Sequence, residues 1–372
     1  MNWSPQQQQA IAAVKRWLED PRAPQVFRLF GFAGTGKTTL AKHLADGVDG
    51  TVVYAAFTGK AALVLRSKGC EGASTIHSLI YKPVENEVTG HTEFIKNPDS
   101  VVGIASLCVI DEVSMVGEDL ARDLLSFGTK VLVLGDPAQL PPVKGEGFFI
   151  NATPDFMLTE VHRQAAENPI IRMSIDIREG RGLKPGRYGD SRVGLRREID
   201  KDELRSLVLQ ADQVLCGVNK TRQAFNIRMR QLKGHVGKLE HWHPVENDKL
   251  ICLRNDHGKG LLNGGLWRVN RSAYRKGQFD MLLTSLDIAD ALPVEVSVPQ
   301  QFFLGTEKDM DWRELKRADQ FTYGDTLTVH KSQGSQWNNV LLFDESFVFR
   351  EDARKHLYTA ITRAAEKVDV FV

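Results

Sequence analysis

The sequence predicts an α/β protein with two parallel-sheet units, on three observations. In the first half, the apolar runs QVFRLF, TVVYAAF, LCVID and KVLVLGD each end where a polar or glycine-rich motif begins. From residue 213 the arrangement returns as QVLCGVN, TLTVH, NVLLF and KVDVFV. Helix-forming stretches separate the runs, and short strands alternating with helices build parallel sheets whose loops gather at the strands' carboxyl edge.

The first run leads into residues 31–38, GFAGTGKT, followed by a helix-forming stretch from Thr38 to Ala45. Gly-x-x-x-x-Gly-Lys-Thr between a strand and a helix is a Walker A phosphate loop. Gly31, Gly34 and Gly36 leave no Cβ between backbone N–H groups and a phosphate, and the helix N-terminus adds its positive end. The backbone from Gly34 through Thr35, Gly36, Lys37, Thr38 and Thr39 is the expected cradle for ATP. Lys37 is expected on the β and γ phosphates, and the Thr38 hydroxyl on Mg²⁺.

Residues 81–100 are polar, and Val-Thr-Gly-His within them is expected to turn a hairpin inserted in the first unit. LCVIDEVSM then ends a strand in Asp111 and Glu112. A strand-end carboxylate beside a phosphate loop suits Mg²⁺, and an adjacent one suits activation of water, so Asp111 is assigned to metal and Glu112 to general base. In VLVLGDPAQLPPV, Gln139 is expected near the γ-phosphate and the attacking water, on a loop that Pro137, Pro141 and Pro142 stiffen. Residues 250–321 mix short β-like pieces with Gly and Asn turns and lose the α/β rhythm, which predicts an all-β insertion in the second unit.

Composition sets broad bounds. With 372 residues, 42% of them hydrophobic, the chain is long enough for two globular domains rather than a disordered segment. A formal net charge of +1 gives no overall basic field, so nucleic acid would have to be held in a local groove. Cys70, Cys108, Cys216 and Cys252 are widely spaced, which favours reduced thiols over a metal cluster. No signal peptide or 18-residue apolar run is apparent, so a cytoplasmic protein without a membrane partner is expected.

The ordered set GFAGTGKT, AAFTGKAA, STIHSL, DEVSM, GDPAQLPPV, TEVHRQ, VHKSQGSQW and LYTAITRA resembles superfamily 1 DNA helicases of the RecD-like and Dda-like branch, over nearly the whole chain. The resemblance implies two RecA-like P-loop domains, the first at 1–155 with a pin-like hairpin at about 81–100. The second is implied at 156–249 and 322–372, interrupted by an SH3-like β insertion at 250–321. It implies an ATP- and Mg²⁺-dependent DNA 5′-to-3′ helicase that moves on single-stranded DNA and opens fork duplex, with replication or recombination proteins as partners.

Residue by residue, the resemblance assigns adenine recognition to Gln7, with Gln6 and Gln8 as the alternatives in the glutamine run. Arg163 and Arg363 match two arginine fingers that reach the γ-phosphate from the second domain, and Gly334 and Gln336 match the nucleotide-binding stretch after VHKS. Where the family often has Glu, Gln336 offers a ribose hydroxyl an amide without charge assistance. DNA contacts are implied at Phe57, Thr58, Thr75, His77, Asn219, Arg222, His330 and Lys331. Phe94 is the apolar candidate for the tip of the pin, which reads equally as a passive loop, and Trp267 is either core or a DNA platform. Two other activities fit the same residues: a translocase that displaces proteins without unwinding, and a nucleotide-gated DNA-binding subunit.

Overall fold

The computed structural model describes residues 3–86, 91–142, 147–160, 167–235, 240–256 and 258–372, with the backbone alone at 85–86 and 91–93. The chain divides into two compact units, Met1–Gly180 and Arg181–Val372.

In the first unit, Ser4 opens helix α1 (Pro5–Glu19) with a capping box: its hydroxyl accepts from Gln7 N, and the Gln7 side chain accepts from Ser4 N. Then follow β1 (Val26–Gly31), α2 (Lys37–Ala45), β2 (Val52–Ala56), α3 (Gly59–Ser67), β3 (Ser74–Thr75) and α4 (Ile76–Ile80). The hairpin β4 (Tyr81–Asn86) and β5 (His91–Lys96) precedes β6 (Leu107–Asp111), α5 (Glu118–Leu125), β7 (Val131–Gly135), β8 (Phe156–Leu158) and α6 (Pro169–Arg178).

The sheet order is β3-β2-β6-β7-β1-β8, and every pairing is parallel. Both faces of β1 are used, as continuous apolar runs in parallel sheets require. Val26 and Phe30 pack with Ile76, Ile80 and Leu124 on one face, and Phe27 and Leu29 with Val14, Trp17, Leu40 and Leu44 on the other. Burying one such side chain contributes about 1.5–3 kcal/mol. The carboxyl ends of β1, β6 and β7 therefore lie together. β8 pairs with β1, so the first sheet extends past the boundary expected at residue 155.

Register corrects one expectation, and burial decides one that the sequence left open. Phe94 pairs with Pro83, whereas Asn86 and His91 form the outermost pair, so Phe94 sits along the arm of the hairpin and not at its tip. Residues 87–90, where the turn was expected, lie outside the described residues. Trp267 is 4% exposed and belongs to a core, not to a surface platform.

The second unit begins with β9 (Gly186–Tyr188), β10 (Ser191–Gly194), α7 (Lys201–Gln210), β11 (Gln213–Cys216) and α8 (Asn219–Leu232). It continues through β12 (Lys249–Cys252), β13 (Leu266–Arg275), β14 (Gln278–Ser285), β15 (Val294–Pro299), α9 (Gln301–Leu304), α10 (Trp312–Arg317) and β16 (Phe321–Tyr323). The chain closes with β17 (Thr326–Thr328), α11 (Val329–Ser332), β18 (Trp337–Phe343), α12 (Ala353–Ile361) and β19 (Ala364–Phe371). A six-stranded sheet, β17-β11-β18-β19-β10-β9, is parallel except at β9–β10. A separate antiparallel sheet, β15-β14-β13-β12-β16, occupies Lys249 to Tyr323 around Trp267, Phe279 and Phe321.

Arg230 near the end of α8 meets Asp248 just before β12 at 2.9 Å, with both side chains almost wholly buried. Removing one partner would leave a buried charge unpaired.

Candidate nucleotide and DNA sites

Residues 31–38 join β1 to α2 as a tight loop. A Cβ on Gly31 would lie 2.7 Å from Thr35 Oγ1 and 2.8 Å from Leu158 Cβ, so only glycine lets the loop lie against β8. Gly36 caps α2 at φ 78° with no side-chain hydrogen bond, which leaves the first-turn N–H groups for an anion. Lys37 Nζ donates to the carbonyls of Gly31 (2.7 Å) and Phe32 (3.1 Å) and so lies folded over the loop. The guanidinium of Arg178, which no motif in the sequence marks, sits 3.6 Å from the centre of the Phe32 ring.

Thr38 Oγ1 donates to Asp111 Oδ2 at 2.8 Å, and Asp111 Oδ1 accepts from Glu112 N at 2.8 Å. Hard oxygen ligands on adjoining elements are the donor set Mg²⁺ takes. Glu112 itself adopts a left-handed backbone, φ 54° and ψ 47°, which costs a non-glycine residue about 1–2 kcal/mol. Gln139 is 8% exposed, and its Oε1 has no partner among the described residues. A buried acceptor left unmet costs about 1–3 kcal/mol, so this oxygen favours water or a ligand. Asp136 holds the Gln139 loop: its carbonyl accepts from Gln139 N and its Oδ1 from Ala138 N.

Among the three glutamines, Gln7 reaches the phosphate loop, where Nε2 donates to Thr35 O at 3.1 Å. Gln6 instead bonds Met157, Thr159 and Glu160, and Gln8 bonds Trp3 O. Thr35 is fully buried and Thr39 exposed on the first turn of α2. Arg163 lies outside the described residues.

In the second unit, Gly334 takes φ 75° and Gln336 is exposed. Arg363 is 5% exposed, donating from Nε to Thr359 O (3.0 Å) and from Nη1 to Ser335 O (3.2 Å). Arg363 O in turn accepts from Trp337 N at 2.9 Å. The VHKSQG and YTAITRA motifs, distant in sequence, are thereby tied together at one sheet edge.

The residues expected to contact DNA fall at strand ends and helix starts. Thr58 and Thr75 cap α3 and α4, accepting from Ala61 N and Ser78 N, so both hydroxyls also serve their own helices. Phe57 is 36% exposed beside Thr58. His77 meets the rings of Tyr81 and Phe94, each at 4.7 Å, which joins the STIHSL motif to the hairpin. Asn219 Oδ1 accepts from Arg222 Nε at 3.2 Å, and burial lowers the Arg222 pKa. Lys331 Nζ donates to Asn263 Oδ1 at 2.6 Å, linking motif VHKSQG to the five-stranded sheet, and burial lowers its pKa as well.

Beneath His330 lies a second imidazole that the sequence did not reveal. His356 is fully buried, stacks on Phe349 at 4.1 Å and lies 5.9 Å from His330. Neither of its ring nitrogens has a partner among the described residues. Burial first, and then the nearby His330, push its pKa down to about 3. A folded-state value below the unfolded 6.5 means the unfolded chain binds the extra proton, so stability falls as pH drops below 6.5, by up to about 1.4 kcal/mol per unit. Denaturant melts at pH 7 and pH 5 are expected to show this loss, and His356→Phe is expected to reduce it.

A glycine-rich loop between a strand and a helix, with a strand-end carboxylate bonded to the loop's threonine, defines a P-loop nucleotide-binding protein. An AAA domain model matches residues 3–192, and a UvrD-like helicase C-terminal domain model matches residues 323–370. The chain belongs to this AAA-domain family.

Among its relatives is the ATP-dependent RecD2 DNA helicase of Deinococcus radiodurans, 30% identical over 366 residues, covering 91% of this chain and 46% of that protein. The ATP-dependent DNA helicase dda of Enterobacteria phage T4 is 36% identical over 169 residues, covering 41% of this chain and 37% of that one. The chain thus spans less than half the length of these relatives. Bacteroides Pif1 helicase with ADP-AlF3 and single-stranded DNA shares the fold at TM-score 0.56 and 19% identity, covering 99% of this chain and 92% of that one. A Pif1 helicase structure on forked DNA shares it at TM-score 0.59 and 19% identity, with the same coverage. The fold is two RecA-like domains.

Proposed function

We propose that the protein is a cytoplasmic ATP-dependent DNA helicase that moves 5′ to 3′ on single-stranded DNA and opens duplex at forks, like the DNA helicases it resembles. The observation that carries this reading is the 2.8 Å hydrogen bond from Thr38 to Asp111, which joins the phosphate loop to the acidic strand end. Bound Mg²⁺ and ATP supply a polarised γ-phosphoryl group for attack by water. The Lys37 ammonium leaves the carbonyls of Gly31 and Phe32 for phosphate oxygens. Glu112 takes the proton of the attacking water, and Gln139 Oε1 orients that water. Arg163 and Arg363 stabilise the charge that develops, Gln7 holds the adenine, and the Gln336 amide holds the ribose.

On the DNA side, Phe57 stacks on a base, while Thr58, Thr75, Asn219, Arg222, His330 and Lys331 hold backbone phosphates in a largely sequence-independent grip. The contacts from His77 to the base of the hairpin couple this grip to the proposed strand-separating element, with the Lys249–Tyr323 sheet as an SH3-like accessory module. The test is ATP turnover with and without oligothymidylate. Strong stimulation is the expected result, and turnover indifferent to DNA would sink the reading.

A further inference from the structure

A cavity of about 440 Å³ opens in the second unit between α7 and α8, on the helix-covered face of β17, β11 and β18. Val214 and Thr326 are register partners on neighbouring parallel strands, and both line it. Its walls are apolar, from Leu204, Val208, Phe225 and Phe343, with the two phenyl rings meeting edge to face at 4.7 Å.

One polar demand lies within this apolar space. Thr326 is fully buried, and its Oγ1 has no hydrogen-bond partner among the described residues. Around the mouth stand Lys201, Arg205 and Arg228, all exposed, against the single carboxylate of Asp202. Among the described residues, Arg228 bonds only the neutral Gln231, at 3.3 Å, and Lys201 and Arg205 have no ion-pair partner.

We propose that this cavity is the docking site for an acidic peptide segment of a partner protein, which inserts one tyrosine side chain between α7 and α8. The volume falls within the range of ligand pockets and admits a single aromatic anchor. The phenol hydroxyl meets Thr326 Oγ1 at the floor, which removes the unmet hydrogen bond. Lys201 and Arg205 are one turn apart on α7, while Arg228 faces them from α8. Cations spread over two helices around one ring match several carboxylates flanking that ring. A peptide carries such an array, and a small aromatic acid with one carboxylate does not.

The probe is a fluorescein-labelled peptide, Glu-Asp-Asp-Tyr-Asp-Glu, titrated with the full chain and followed by anisotropy. Saturable binding is expected, weakened about tenfold or more when the tyrosine is replaced by alanine, and about three- to tenfold when it is replaced by phenylalanine. Arg205→Glu is expected to weaken binding about tenfold. Thr326→Val is expected to erase the difference between tyrosine and phenylalanine peptides, with thermal unfolding by circular dichroism showing that both variants fold. Saturating oligothymidylate is expected to leave peptide binding unchanged.

Equal binding of the alanine peptide would reduce the effect to bare charge attraction and overturn the proposal. So would displacement by oligothymidylate, or 4-hydroxyphenylacetate binding as tightly as the peptide, which would make the occupant a small aromatic acid. Because Arg205 is exposed and outside the proposed ATP and DNA sites, its variant keeps the test decisive even if Thr326→Val fails to fold.

Discussion

Lys37→Ala is expected to leave the chain folded and to lower ATP hydrolysis by at least about a hundredfold. Its ammonium is held by two carbonyls of the phosphate loop, at 2.7 and 3.1 Å, so truncation removes a positive charge from the loop itself. The structural cost is small, because the side chain is only half-buried and the freed carbonyls can take water in its place. DNA affinity without nucleotide is expected to stay within a few-fold of the unaltered protein, since none of the proposed DNA contacts lies in the loop. Turnover measured with saturating oligothymidylate, together with filter binding of the same oligonucleotide, checks both halves. Persistent DNA-stimulated turnover would remove this loop from the chemistry.

Arg363→Ala is expected to lower hydrolysis by about 10³- to 10⁵-fold while leaving ATP affinity within a few-fold. In the structure the guanidinium is 5% exposed and held by the carbonyls of Thr359 and Ser335. A structural role therefore competes with a catalytic one. Hydrogen bonds from a charged donor contribute about 1.5–3 kcal/mol, so the variant is also expected to melt earlier. Stability and catalysis separate in two readouts: binding of a fluorescent ATP analogue, and single-turnover hydrolysis below the melting range. A variant that binds the analogue and hydrolyses ATP at the original rate would leave Arg363 only the task of tying the two motifs together.

Much of the fold was legible because its main strands are apolar runs of several residues that stop at a functional loop. Val26–Gly31, Leu107–Asp111 and Val131–Gly135 were each marked twice, by composition and by the motif that follows. The short strands Ser74–Thr75, Phe156–Leu158 and Gly186–Tyr188 were not, because two or three residues carry no periodicity and exist only through a neighbour's ladder.

The sequence assigned Thr38 and Asp111 to one Mg²⁺ but named no bond between them, and the 2.8 Å contact emerges only once β6 lies beside the phosphate loop. Register was beyond the sequence, and so Phe94 was expected at a tip when pairing with Pro83 sets it along the arm. The burial of His356 and the stack of Arg178 on Phe32 depend on chain segments meeting from far apart, and no local pattern announces them.

The central claim is ATP-driven duplex opening with a fixed direction. Its most direct test is strand separation on two fork substrates of identical duplex, one carrying only a 5′ single-stranded tail and the other only a 3′ tail, with ATP and Mg²⁺ present. The account predicts product from the 5′-tailed substrate, none from the 3′-tailed one, and none from either with Lys37→Ala. Unwinding of the 3′-tailed substrate alone would contradict the direction, and ATP turnover without product from either would contradict the helicase itself.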